Sequence, residues 1–184
     1  MTPRQTATRL GAVEMSLKTI SRDGPVLLRP MTLDECLRCG RWRADPAIVP
    51  TLRTVPKSDA EQRVFYDTVV AQAPVDHTYW AVVRIGDGAL VGMGGLTHRR
   101  RWPGEAEISL LIGPPYQGYG LGTAAVRALL DQAFGPDQLD AVVGEAYRRP
   151  GGAAPFWEHL GQRQGWAMVR VGPSLFFRIG RTTP

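Results

Sequence analysis

The chain has 184 residues, 43% of them apolar and 21% charged, and its 22 Lys+Arg against 17 Asp+Glu leave a net charge of +5. That is enough apolar sequence for one globular domain, and no apolar run approaches the ~20 residues that span a bilayer. Charge alone does not choose among nucleic acid, anionic lipid and a polyphosphate ligand, but it disfavours a strongly cationic substrate. The first residues lack the continuous apolar stretch of a secretory signal, so a cytoplasmic location is expected.

Residues 1–24 show no sustained periodicity and read as a flexible N-terminal tail ahead of a single domain over 25–184. Order begins at Val26-Leu27-Leu28-Arg29, a short strand closed by Pro30. Thr32 and Glu35 have the spacing of a capping box, opening a helix that ends before Pro46. Ser58 and Glu61 repeat that spacing and open a second helix to about Ala71, with Val64, Phe65 and Thr68 at helical spacing. The two cysteines, Cys36 and Cys39, fall within the first helix and read as packing residues. His77, His98 and His159 are scattered, so no metal site is expected.

A meander follows. Tyr79–Ile85 is rich in β-branched and aromatic residues, Gly86-Asp87-Gly88 is a tight-turn signal, and Ala89–Leu96 returns as the partner. Glu105–Ile112 is the third antiparallel strand, reached through the arginine-rich loop His98–Gly104, which reads as a solvated hairpin tip. Thr123–Phe134 has the best helical pattern, with Val126, Leu129, Leu130 and Ala133 on one face. A strand over Asp140–Tyr147, a short helix near Ala154–Leu160 and a hairpin around Gly172-Pro173 complete a mixed α/β chain. Trp42 and Trp80 read as core residues, with an acceptor pocket as the alternative.

The stretch Leu110-Leu111-Ile112-Gly113-Pro114-Pro115-Tyr116-Gln117-Gly118-Tyr119-Gly120-Leu121-Gly122-Thr123 carries the most information. It reads as strand, stop, glycine-rich loop and helix. Glycines at 118, 120 and 122 permit a close backbone approach, and the helix N-terminus favours an anion, which together describe a pyrophosphate cradle. The P-loop needs a lysine that is missing, and the dinucleotide fingerprint needs one residue more between its last glycines.

Gln117-Gly118-Tyr119-Gly120-Leu121-Gly122 instead resembles the Q/R-x-x-G-x-G/A acetyl-CoA signature of the GNAT N-acetyltransferases. Leu28-Arg29-Pro30-Met31-Thr32, followed by Asp34, resembles the opening of their ribosomal-protein-acetyltransferase-like branch. Ala106-Glu107-Ile108 ahead of Leu110-Leu111-Ile112 resembles the family's fourth strand, and Phe156-Trp157-Glu158 with Leu160-Gly161 its late helix and following turn. The resemblance implies an α/β (α+β) fold, a mixed and mostly antiparallel sheet flanked by helices, whose fourth and fifth strands splay apart.

The same resemblance implies acetyl-CoA as co-substrate and a primary amine, on a small molecule or a peptide, as acceptor. It implies that the backbones of Leu110, Leu111 and Ile112 meet the pantetheine arm, with an N–H there steadying the developing oxyanion. The loop from Gln117 through Thr123 would hold the pyrophosphate. Glu107 is the candidate base, sharing a strand face with Glu105 and Ser109. The alternative is that these polar residues only line a solvated face. By spacing, the family's usual asparagine falls at Pro150 and its tyrosine acid at Trp157, whose indole cannot supply a proton; Tyr147 is a substitute donor or a packing residue. These two departures leave a non-catalytic acyl-CoA-binding module as the alternative function. A homodimer stays open, and neither a nucleic-acid nor a membrane partner is expected.

Overall fold

The computed structural model describes residues 25–72 and 77–181. Their elements are β1 (Val26–Pro30), α1 (Leu33–Arg43), α2 (Asp59–Phe65), β2 (His77–Arg84), β3 (Leu90–His98), β4 (Glu105–Ile112), α3 (Leu121–Phe134), β5 (Ala141–Tyr147), α4 (Ala154–Gln164), β6 (Ala167–Val171) and β7 (Ser174–Gly180). Single 3-10 turns lie at Val49–Thr51 and Pro114–Tyr116, and α2 runs directly into a π-helical turn at Tyr66–Val70. The strands form one sheet in the order β1-β2-β3-β4-β5-β7-β6. Every neighbouring pair is antiparallel except β4 and β5, which run parallel. The tail expected over residues 1–24 lies outside the described residues.

Local chemistry accounts for the element starts. Thr32 and Ser58 each accept from the N–H three residues on, and Glu35 and Glu61 return a bond to the cap backbone, so both capping boxes are complete. Glu35 is also gripped by the Arg29 guanidinium, at 2.8 Å through Nη1, which pins α1 to the end of β1. Burial would raise the Glu35 carboxyl, but the hydrogen bonds from Arg29 and Thr32 outweigh it and hold it below its ordinary range.

Each face of the sheet carries its own core. On one face α3 and α4 bury Leu28, Val82, Leu96 and Ile108 against Val126 and Leu129. On the other, α1 and the end of α2 bury Ala81, Val83, Met93 and Leu111 together with Cys36 and Cys39. Both cysteines are free thiols, and burial pushes Cys39 up to about 12. Two helix boundaries and one helix face differ from the sequence reading. The best helix starts at Leu121, because the glycine turn itself supplies the first helical residue. The late helix runs four residues further, to Gln164, where Gly165 at φ +69° ends it in a left-handed cap. Val64 is 61% exposed, and Gln62 is the α2 residue turned inward, its amide donating to the Cys36 sulfur at 3.1 Å.

The half of the sheet beyond β4 depends on one aromatic stack. Phe177 of β7 packs on Trp157 of α4 with ring centroids 4.6 Å apart and on Trp166 at 5.9 Å. Gly144 of β5 lies opposite Phe177, and a Cβ there would strike the ring. Gly144→Ala is therefore expected to lower stability by about 1–3 kcal/mol, several degrees in Tm, as read by thermal melting. The pair at Glu35 gives a second expectation. A carboxyl held low in the folded state contributes stability above its unfolded value near 4.3, and that contribution is lost as pH falls through the folded value. The wild-type urea midpoint should thus fall more steeply from pH 5 to pH 3 than that of Glu35→Gln; parallel slopes would refute the coupling.

Candidate functional site

β4 and β5 stay paired over only three rows, Glu105↔Ala141, Ala106↔Val142 and Glu107↔Val143. Beyond Glu107 the strands diverge. β4 remains laddered to β3 as far as Ile112, and β5 to β7 as far as Tyr147, so each keeps one paired edge and opens the other. Leu110, Leu111 and Ile112 lie on this open length of β4. Leu110 and Ile112 pack toward α3, and Leu111 is buried beneath α1.

A cavity of about 560 Å³ fills the divergence. It threads the sheet from Ala153 and Trp157 on the α4 side to Arg43, Phe65 and Tyr79 on the α1–α2 side. A second depression of about 530 Å³ lies on the open face of β5, β7 and β6, and the two meet at Arg53, Glu107, Glu145 and Phe177. The connection between α1 and α2 straps the first cavity. Arg149, just past β5, donates from Nε to the Pro50 carbonyl at 2.5 Å and from Nη2 to the Leu52 carbonyl.

Arg53 of that strap reaches to the base of the fork. Its Nη1 donates to Glu107 Oε1, and its Nη2 pairs with Glu145 Oε2 at 2.9 Å. Burial pulls the Arg53 guanidinium down, but Glu107 and Glu145 more than restore it, with the Tyr147 phenol alongside. The three strand carboxylates differ in freedom. Glu105 is clasped by Arg99 and Arg178 and is 16% exposed. Glu145 is 17% exposed and also accepts from the Ser174 hydroxyl at 2.8 Å. Glu107 is 41% exposed, and its contact with Arg53 is made through Oε1. Glu107 and Glu145 line both hollows, and Glu107 is the more exposed of the two, which favours proton exchange with a ligand.

The glycine loop follows β4 directly. Gly118 and Gly120 have φ of +82° and +76°, and a Cβ at either would meet nothing within 4 Å. Their need for glycine is thus conformational, and the space above them is open. Gly122 carries no such constraint; its added Cβ would meet Phe156 at 3.4 Å, an ordinary contact. Gln117 donates its side-chain amide to the Ile112 carbonyl at 3.0 Å, tying the loop to the strand end. Tyr119 is 75% exposed. Gly120 caps α3 without a side-chain hydrogen bond, so the first-turn N–H groups, those of Leu121, Gly122 and Thr123, point outward with no cap to satisfy them.

Trp157 lines the cavity but is 7% exposed and stacked on Phe177, as a core residue. Tyr147 also lines it, with the Arg149 guanidinium 5.3 Å from its ring centroid. Trp80 is core, and Trp42 packs edge-on to Tyr116 beside Gly113; neither lines the cavity. In the arginine-rich hairpin, Arg99 lies 3.9 Å over the Trp102 ring. Sequence reasoning missed Arg53, Glu145 and the strap. Glu145 was within reach, since strand alternation sets it on the face of Tyr147. Arg53 carried no signal, because it lies in an irregular connection 54 positions from Glu107.

The family model described as an acetyltransferase (GNAT) domain matches residues 26–163. Comparison with curated proteins gives no match. Among solved structures, a spermidine N-acetyltransferase from Vibrio cholerae in complex with CoA and spermine superimposes with a TM-score of 0.72 at 16% identity, covering 85% of this chain and 96% of that one. An acetyltransferase (GNAT family) from Bacillus anthracis gives 0.70 at 14%, covering 88% and 98%. A Vibrio cholerae protein provisionally described as a ribosomal-protein-serine acetyltransferase gives 0.67 at 20%, covering 88% and 97%. At such identities these likenesses establish the fold.

Proposed function

The chain belongs to the GNAT acetyltransferase family, and on that premise we propose that it acetylates a primary amine from acetyl-CoA, with Glu107 as the base. The observation that carries the reading is the fork: an open edge of β4 that leads from Glu107, the most exposed of the three carboxylates, to an uncapped helix start. Acetyl-CoA supplies the activated thioester. Over Leu110, Leu111 and Ile112 the open edge of β4 faces an amide-bearing arm; strand alternation turns the Leu110 and Ile112 backbones to that edge, with the Ile112 carbonyl already held by Gln117, and turns the Leu111 backbone to β3. Gln117, Gly118, Tyr119, Gly120, Leu121, Gly122 and Thr123 form the anion cradle, where backbone N–H groups and the helix dipole favour a pyrophosphate.

An acceptor such as a lysine side chain, with a pKa near ~10.4, is almost wholly protonated at neutral pH and cannot attack until it loses a proton. Glu107 takes that proton, directly or through water. The freed nitrogen then bonds to the thioester carbonyl carbon as the carbon–sulfur bond breaks; the acylated nitrogen releases its surplus proton to solvent, and the departing thiolate takes one from water, or from Tyr147, which solvent then reprotonates. Arg53, braced by Glu145, holds one oxygen of Glu107 and so orients the other. Trp157 contributes packing to the cavity wall and no proton.

A thermal-shift titration with acetyl-CoA, against ATP and NAD as anionic controls, tests the cradle. Saturation at ~100 times the dissociation constant adds roughly 2.7 kcal/mol, and a shift specific to acetyl-CoA is expected. Gly120→Glu should abolish it, whereas Gly120→Ala, with the same backbone strain but no charge, should lose far less; equal losses would remove the pyrophosphate assignment. In a thiol-release assay over an amine panel, Glu107→Gln should lower kcat by about 10²–10⁴-fold with acetyl-CoA affinity nearly unchanged. Undiminished turnover would leave Glu107 a structural residue.

A further inference from the structure

The charge lining the cavity is unevenly spent. Arg43, Arg53 and Lys57 line it against two carboxylates, Glu107 and Glu145. Arg53 engages both carboxylates. Lys57 lies at the rim, its ammonium 5.0 Å from the Phe65 ring centroid and within the field of Glu61. Arg43 is what remains. It is the last residue of α1, it is half-buried, and its side chain donates to the Thr54 hydroxyl at 2.8 Å. The charged or ionisable groups that act on it are the Tyr79 phenol and the Cys39 thiol, with no carboxylate in ion-pair distance among the described residues. Burial lowers the Arg43 guanidinium, the direction expected of a cation withdrawn from water without a counter-charge.

A desolvated guanidinium whose forked donors meet one hydroxyl is a costly arrangement in the unliganded protein and a favourable one once an anion pairs with it. Its position says which ligand that anion belongs to. Arg43 lies on the α1–α2 side of the fork with Tyr79 and Phe65, whereas the glycine cradle at the start of α3 does not line this cavity. We infer that Arg43 is a specificity residue for the acceptor, which carries a carboxylate or phosphate close to its reactive amine, as an acidic peptide N-terminus does. The amine meets Glu107 while the anion meets Arg43, and a polyamine would set a cation against an already unbalanced positive charge. This rests on the acceptor reading of the cleft given above.

The probes are alanyl-glutamate, its carboxylate-free counterpart alanyl-glutamine amide, and spermidine. Each is measured by calorimetry on CoA-saturated protein and by thiol release with acetyl-CoA. The acidic dipeptide should bind at least about ten-fold more tightly than the amide and should be preferred by the same factor in kcat/KM. Arg43→Gln should erase the preference through KM and leave acetyl-CoA affinity within two-fold, and Arg43→Lys should restore part of it. Equal binding of acid and amide, or a preference for spermidine, overturns the inference whichever amine reacts. A ten-fold loss of acetyl-CoA affinity in Arg43→Gln also overturns it, by assigning the guanidinium to the phosphates of CoA. Acid-selective binding without turnover of any amine leaves this inference standing and defeats the catalytic reading instead. Should Arg43→Gln fail to fold, the comparison of acid and amide on the wild-type protein still decides.

Discussion

Three rows of parallel pairing between β4 and β5 hold the two halves of the sheet together, and the loss of pairing after Glu107 creates everything the site uses. A parallel strand that lets go of its neighbour exposes backbone donors and acceptors that must find partners elsewhere. Here each strand keeps one laddered edge, β4 to β3 and β5 to β7, so the open edges are held rigidly while remaining free for a ligand. The parallel orientation also sets both strand ends on the same side, which is why Glu107 and Glu145 come within reach of a single guanidinium.

The packing on either side of the fork keeps it from closing. On one face the Trp157–Phe177–Trp166 stack fills the space beneath β5 and β7 and leaves room opposite only for a glycine at 144. On the other, the α1–α2 connection is drawn down by Arg149 on the Pro50 and Leu52 carbonyls, delivering Arg53 to the carboxylates. The site is thus assembled by ion pairs and backbone hydrogen bonds on a scaffold made stiff by aromatic packing. Exposed ion pairs contribute little to stability, so the value of this network lies in orientation.

Charge explains how a chain with a net charge of +5 presents a structured cleft instead of a uniformly basic surface. Most cleft charges are paired within it, and Arg43 stands out because α1 carries it into a half-buried position where, among the described residues, it meets the Thr54 hydroxyl and no carboxylate. The net basic composition points away from a strongly cationic substrate, and the acceptor role inferred for Arg43 would extend that tendency into the cleft.

Much of the architecture was legible in the residues. Capping boxes at Thr32–Glu35 and Ser58–Glu61, the turn at Gly86–Gly88, the proline stop after Ile112 and the 3.6-residue pattern from Val126 to Ala133 are local signals, and local energetics decided those elements. So was the glycine loop, because positive φ at Gly118 and Gly120 is a demand that only the residue type meets. Alternation in β4 separated Glu107 from its buried neighbours. Tertiary structure alone decided that Glu105 is clasped by Arg99 and Arg178 while Glu107 stays more exposed, that Arg53 crosses 54 positions to reach it, and that no carboxylate among the described residues pairs with Arg43. Those outcomes depend on which side chains from distant, irregular segments meet in space, and no local pattern in the chain encodes that meeting.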